Sequence, residues 1–162
     1  MRIGIPKEIK TEEGRVSLTP YACHQLIDAG HEVFIEQSAG LLSGFSDDQY
    51  AQNGVTVLDS AAGLYATATL IVKVKEPQPD ECRMLREGQA LFTYLHLAPD
   101  PDQTRLLVES GVTAIAYETV EREDGDLPLL EPMSEVAGRL APCRASPTGV
   151  RDSSSSAPAA IS

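Results

Sequence analysis

The sequence predicts an α/β domain built on an open, doubly wound parallel sheet. Three observations carry this reading. Short β-branched or aliphatic runs recur along the chain, helix-like segments separate them, and glycine or proline stands at most of the junctions. Strands that alternate with helices favour parallel pairing with right-handed crossovers, which place helices on both faces of the sheet. At 162 residues the chain can bury a core without disulfide or metal staples and would be cramped as two full domains.

Taken in order, Arg2 to Ile5 (RIGI) reads as the first strand. Thr19 is placed to cap a helix and Pro20 to open it; Cys23, Leu26 and Ile27 supply its apolar stripe, and Gly30 ends it. Val33 to Ile35 is the second strand. Ser46 caps a short helix carrying Tyr50 and Ala51, which Asn53 and Gly54 stop before the strand Val55 to Leu58. Asp59 opens another helical stretch. Leu70 to Val74 (LIVKV) is the most persuasive strand; Pro77 and Pro79 forbid its continuation, and a helix is expected from Asp80 to Glu87, closed by Gly88. Ala90 to Leu95 (ALFTYL) is the next strand. Asp100 and Pro101 start a helix through Leu106 and Leu107 to Gly111, and Val112 to Tyr117 is the last strand. The EDGD segment marks a turn, so Glu121 to Leu130 reads as a hairpin or an extended excursion, with a helix from Met133 to Leu140. From about Ala141 the chain is rich in Ser, Ala, Pro and Arg without hydrophobic period, and residues 142–162 are expected to form a disordered tail.

Composition narrows the function. A formal charge of −11 repels phosphate backbones and anionic lipid surfaces, which argues against nucleic-acid or membrane partners. No apolar run is long enough to span a bilayer and MRIGIPKEIK is no signal segment, so a cytoplasmic location is expected. Cys23, Cys82 and Cys143 are widely spaced, forming neither a disulfide framework nor a metal-binding pair, and read as buried or incidental thiols. No metal site is expected.

In an open parallel sheet, ligands bind outside the carboxyl ends of the strands. That rule selects Arg15, in the loop after the first strand, Lys75, just past LIVKV, and His96, just past ALFTY. An arginine grips a carboxylate through two parallel hydrogen bonds, a lysine holds an oxygen as a point charge, and a histidine moves a proton at neutral pH. Lys73 sits deeper in the strand and reads as a supporting residue, while His24 and His31 read as structural. A dinucleotide site needs glycines two apart for close approach to the pyrophosphate, and no two of the 12 glycines are so spaced. Walker, HExxH and GxSxG patterns are absent as well.

The segments MRIGIPKEIKTEEGRVSLTP, IVKVKEP, YLHLAPD and LLEPMSEVAGRLA, with EQSAG and AYETV between them, resemble alanine dehydrogenase in the family's own order over residues 1–141. The amino-terminal domain of proton-translocating transhydrogenase shares IGIPKE, RV..TP and SAG; KVKEP and YLHLA favour alanine dehydrogenase. The resemblance implies a flavodoxin-like substrate-binding domain and reversible NAD-dependent deamination of L-alanine to pyruvate and ammonia by a homo-oligomer, commonly a hexamer. It implies that Arg15 and Lys75 bind pyruvate, that His96 is the catalytic histidine, and that Met133 and Ser134 lie near the cofactor. The family's nucleotide-binding domain and its catalytic aspartate have no counterpart here, so a truncated member holding the substrate half is expected, inactive alone. A free-standing carboxylate-binding module, a subunit-assembly module and a transhydrogenase-type domain stay open as alternatives.

Overall fold

The computed structural model describes residues 1–136; the tail expected over 142–162 and the last residues of the helix expected from Met133 lie outside the described residues. Six strands form one parallel sheet: β1 (Arg2–Ile5), β2 (Glu32–Glu36), β3 (Thr56–Leu58), β4 (Leu70–Val72), β5 (Ala90–Thr93) and β6 (Thr113–Ala116). The helices between them are α1 (Pro20–Asp28), α2 (Asp47–Gln52), α3 (Ala61–Thr67), α4 (Pro79–Cys82) and α5 (Pro101–Ser110). The sheet runs in the order β3-β2-β1-β4-β5-β6. It is therefore open and doubly wound, as expected. Its order is the 3-2-1-4-5-6 type, whereas flavodoxin itself has 2-1-3-4-5.

The local chemistry of each helix start is visible in the sequence. Thr19 accepts the Ala22 N–H ahead of Pro20, Ser46 accepts the Gln49 N–H, Ser60 accepts the Gly63 N–H, and Asp100 accepts the Gln103 N–H ahead of Pro101. At the other ends Gly30 and Gly111 take φ of 84° and 70°, the left-handed geometry that stops a helix without steric cost.

Strand residues on the two faces of the sheet serve two cores, to which the outer strand β6 adds only Ala116. One face buries Ile3, Ile5, Val33 and Ile35 beneath α1 and α2, with Cys23, Tyr50 and Val55 filling the space. The opposite face buries Ile71 and Leu91 beneath α3, α4 and α5, with Leu64, Tyr65, Leu85 and Leu107. Gly4 lets α3 approach: a Cβ there would lie 2.7 Å from that of Ala68. Beyond α1 the first face is not covered by a helix of the described residues, and a groove of about 450 Å³ opens over Leu70, Val72, Phe92 and Tyr94.

Three expected elements end early. The strand expected to reach Val74 stops at Val72 because Glu8 Oε1 takes the Val74 N–H at 2.7 Å. The strand expected to reach Leu95 stops at Thr93, since the Glu118 carboxylate takes the N–H groups of Leu95 and His96. The helix expected to reach Glu87 ends at Cys82. Downstream, Arg86 leaves any helical role and donates to the carbonyls of Tyr65, Ala66 and Ala68 at the end of α3. Residues 121–130 form no hairpin; Gly125 and Arg122 close a turn in an extended excursion, and helix resumes over 131–136.

Candidate functional site

In the order 3-2-1-4-5-6 the chain winds outward from β1 in one direction and from β4 in the other. The crevice between the carboxyl ends of β1 and β4 is therefore the topological switch point. Arg15 lies in the loop that leaves β1, Lys75 in the loop that leaves β4, and His96 in the loop that leaves β5. The two cations thus flank the crevice and the histidine stands one strand further along.

Side-chain ties hold these loops in place. Glu8, from the loop after β1, accepts the Val74 N–H and a bond from Lys73 Nζ at 3.0 Å. Lys73 has no exposed side-chain surface and also donates to Glu81 Oε1 at 2.7 Å. Tyr65 O–H donates to the same Glu81 oxygen, and Glu81 Oε2 accepts the Gln78 N–H at the start of α4. Burial pushes the Glu8 carboxyl up, with the Lys73 charge opposing it. Nearer the surface, Lys10 pairs with Glu76. Ser17 Oγ donates to the Val72 carbonyl at 2.8 Å, and Thr93 Oγ1 donates to the Lys75 carbonyl at 2.9 Å. Lys73, expected as a supporting residue deeper in the strand, lies in this buried cluster with Glu8 and Glu81.

Arg15 is gripped by Glu13. Its Nε donates to Glu13 Oε1 at 2.8 Å, its Nη2 to Oε2 at 2.6 Å, and its backbone N–H to Oε1 at 2.9 Å. The guanidinium holds the Glu13 carboxyl down to about 2, against the upward push of burial. Glu12 takes φ of 65° in the same loop, and the Glu13 N–H bonds the Lys10 carbonyl, so the chain doubles back just ahead of the pair. Arg15 Nη1 points at Met133 Sδ, 3.5 Å away, so Met133 reaches the site. Ser134, next to it in the same helix, is exposed and donates its hydroxyl to the Leu130 carbonyl one turn back.

Lys75 forms no ion pair among the described residues, although its charge is felt by Glu13 and Glu76. His96 is exposed, with φ of 46°. Its backbone N–H donates to Glu118 Oε1 at 2.8 Å and its ring stacks on Tyr94, with centroids 6.1 Å apart and planes 14° off parallel. Burial pushes the Glu118 carboxyl up, but the N–H groups of His96 and Leu95 outweigh it and hold that carboxyl low. Tyr94 packs edge-on to Tyr117, donates its hydroxyl to the Leu129 carbonyl, and lies within the electrostatic reach of Arg15.

The residues that reasoning from sequence passed over are therefore acidic and aromatic: Glu8, Glu13, Glu118 and Tyr94. A signal existed. Glu8 and Glu13 lie in the same strand-end loop as Arg15, and Glu118 follows the end of β6, so the strand-end rule reaches them once carboxylates are admitted to it.

The same geometry tests the crevice against a dinucleotide. A pyrophosphate at a switch point uses free N–H groups at the start of the first helix and a glycine-lined approach. Here Pro20 brings no N–H, Thr19 occupies the Ala22 N–H, and the loop leaving β1 carries the carboxylates Glu8 and Glu13, paired with Lys73 and Arg15, in place of a glycine-rich turn. The residues present do not fit that group. No cluster of His, Cys, Asp and Glu suited to a metal occurs among the described residues, and none of their helices is long and apolar enough to cross a membrane.

These features define a doubly wound α/β domain whose switch-point crevice is flanked by Arg15, paired with Glu13, and by Lys75, with His96 one strand further along. The chain belongs to the family described as "Alanine dehydrogenase/PNT, N-terminal domain", which matches residues 4–137. It is 51% identical over 140 residues to an alanine dehydrogenase of Methanococcus maripaludis, covering 86% of this chain and 38% of the relative. It is 52% identical over 141 residues to that of Bacillus subtilis, covering 87% and 37%. A solved L-alanine dehydrogenase superposes with a TM-score of 0.84 at 51% identity, over 87% of this chain and 39% of that one. A transhydrogenase from Sinorhizobium meliloti superposes at 0.70 with 28% identity, over 75% and 36%. The chain thus spans about two-fifths of the length of the relatives it matches.

Proposed function

We propose that residues 1–141 are a substrate-binding domain for a small 2-oxo or 2-amino monocarboxylate of the pyruvate and L-alanine type. This is the substrate half of an alanine dehydrogenase reaction. Arg15 grips one edge of the carboxylate, Lys75 holds its second oxygen or the adjacent carbonyl oxygen, and His96 receives and returns the proton at the C2 oxygen. The observation that carries the reading is that Arg15 and Lys75 leave β1 and β4, the two strands flanking the switch point. Orientation of the bound carboxylate in this way supplies a large share of the barrier reduction in such reactions.

Redox chemistry at C2 is NAD-dependent by the family resemblance, and these residues do not supply a dinucleotide site. The chain alone is therefore expected to bind without turnover. A cytoplasmic, homo-oligomeric protein that meets neither nucleic acid nor membrane goes with this reading, and the charge of −11 suits it. A transhydrogenase-type role has weaker support, since that likeness is at 28% identity against 51%.

Calorimetric titration of the purified chain with pyruvate tests the proposal. Binding at about millimolar Kd is expected, weakened at least about tenfold by Arg15→Ala or Lys75→Ala. Folded protein that takes up no pyruvate refutes it. Alanine-dependent NADH formation by this chain would refute the expectation of binding without turnover.

A further inference from the structure

We propose that Glu13 is the positioning residue of the site: it clamps Arg15 along the Nε/Nη2 edge from the protein side, leaves the Nη1/Nη2 edge as the face that meets a ligand carboxylate, and tunes the crevice to a single negative charge. The inference rests on the reading of Arg15 as the carboxylate clamp.

A guanidinium offers two edges for a forked pair with a carboxylate. One is lateral, from Nε–H and one Nη–H; the other is terminal, from both Nη groups. Glu13 fills the lateral edge with bonds of 2.8 and 2.6 Å, and its Oε1 also takes the Arg15 backbone N–H. That third bond locks the carboxylate to the loop, so the pair turns with the backbone or not at all. Exposure gives the direction. The Glu13 side chain is 8% exposed and that of Arg15 is 42%, so the carboxylate lies behind the guanidinium. On the terminal edge the contact is the Met133 thioether, a neutral, flexible and weakly accepting group that an incoming carboxylate can displace.

The charge count follows from the same residues. Arg15 and Lys75 supply two positive charges at the crevice, and Glu13 cancels one. A monocarboxylate completes a neutral set. A second carboxylate on the ligand would find Lys73 already shared between Glu8 and Glu81 and Lys10 already paired with Glu76. A competing reading makes Glu13 a stand-in that occupies the ligand's place and is expelled on binding. The exposures oppose it, and it predicts different spectra.

The test uses the full chain labelled with ¹⁵N-arginine. In the ligand-free protein the Arg15 Nε–H resonance, assigned with Arg15→Lys, should be resolved and protected from water exchange, and Glu13→Gln should abolish that protection. Saturating pyruvate should leave the Nε–H shift and protection in place. Titrations should show Glu13→Gln weakening pyruvate about tenfold and narrowing its preference over oxaloacetate by a similar factor, with Glu13→Asp keeping the preference. A purely structural role would lower the melting temperature and leave that ratio unmoved, overturning the proposal. Loss of Nε–H protection when pyruvate binds overturns it in favour of the stand-in. If the wild type binds no pyruvate, the clamp reading falls and takes this inference with it, whereas an unprotected Nε–H in the ligand-free chain refutes the Glu13 pair alone.

Discussion

Replacing Lys73 by methionine should be the most damaging single change in this domain that leaves every apolar contact nearly intact. Lys73 has no exposed side-chain surface, and its partners Glu8 and Glu81 are each 3% exposed. Methionine fills most of the volume but leaves two buried carboxylates facing each other without their cation. Removing one partner from a buried ion pair costs about 3–5 kcal/mol, against a total domain stability of about 5–15 kcal/mol. For a chain of this size that corresponds to a fall in melting temperature of about 10–15 °C. The loss should also depend on pH. Burial already raises the Glu8 carboxyl above its ordinary value, and without Lys73 it rises further. A native state that binds the extra proton is most stable below the unfolded carboxylate range and loses that advantage as pH rises through the folded value. Lys73→Met should therefore be milder at pH 5 than at pH 8, and Lys73→Met with Glu81→Gln should recover at least half of the loss. The chain has no tryptophan, so urea unfolding is best followed by circular dichroism at the two pH values. A single variant within about 1 kcal/mol of wild type, or a loss identical at both pH values and in the double variant, would refute the assignment of this cluster as a charge-compensated buried network.

Three further outcomes follow from geometry already described. Gly4→Ala should destabilise by about 1–3 kcal/mol in the same urea assay, because its Cβ would press on Ala68 Cβ at 2.7 Å and Leu64 Cδ2 at 3.0 Å; an unchanged midpoint would mean α3 can yield. Burial raises the thiols of Cys23 and Cys82 to about 12 and about 11, so mass-mapped alkylation at pH 8 should leave both unmodified until urea is added. Glu13 is held at about 2 by Arg15, so the pair contributes above the ordinary carboxylate range and its contribution is lost as pH falls from about 4.5 toward 2. Glu13→Gln should flatten that acid limb by about 1 kcal/mol, a modest figure because Arg15 is partly solvated, and an acid limb identical to wild type would count against the pair.

Much of the fold was legible because its signals are local. A capping hydroxyl followed by proline, a β-branched run, and a glycine at the helix end each specify backbone geometry within a few residues, and Thr19, Pro20, Gly30, Asp100 and Gly111 all act that way. The failures share one cause. LIVKV and ALFTYL have the composition to extend two residues further, but carboxylates from distant loops, Glu8 and Glu118, capture the N–H groups that would have continued the ladders. Arg86 likewise leaves a helical pattern to satisfy carbonyls about twenty residues upstream. No periodicity encodes such long-range captures. The placement of Arg15, Lys75 and His96 in strand-end loops was legible through the strand-end rule, whereas the grip of Glu13 on Arg15 and the stacking of Tyr94 on His96 depend on side-chain orientation, which a sequence pattern does not display.

The sheet order sharpens what this fold is used for. The order 3-2-1-4-5-6 is the one that in dinucleotide-binding domains seats a pyrophosphate at the crevice between the first and fourth strands. The difference lies in the loop leaving β1. A short glycine-rich turn would bring the first helix close, with free N–H groups for an anion, and its lack of side chains would favour the dianionic pyrophosphate. This loop instead runs over residues 6–19, meets a helix whose first donors are removed by proline and threonine, and carries Glu8 and Glu13 to bind Lys73 and Arg15. Backbone donors have been exchanged for a side-chain cation held by a carboxylate. Such a cation has a defined edge and a nearly neutral net charge, properties that suit one small monoanion and oppose a polyphosphate. On the proposed reading, function parts from fold at this single loop, through Glu13 and Glu8, which hold Arg15 and Lys73.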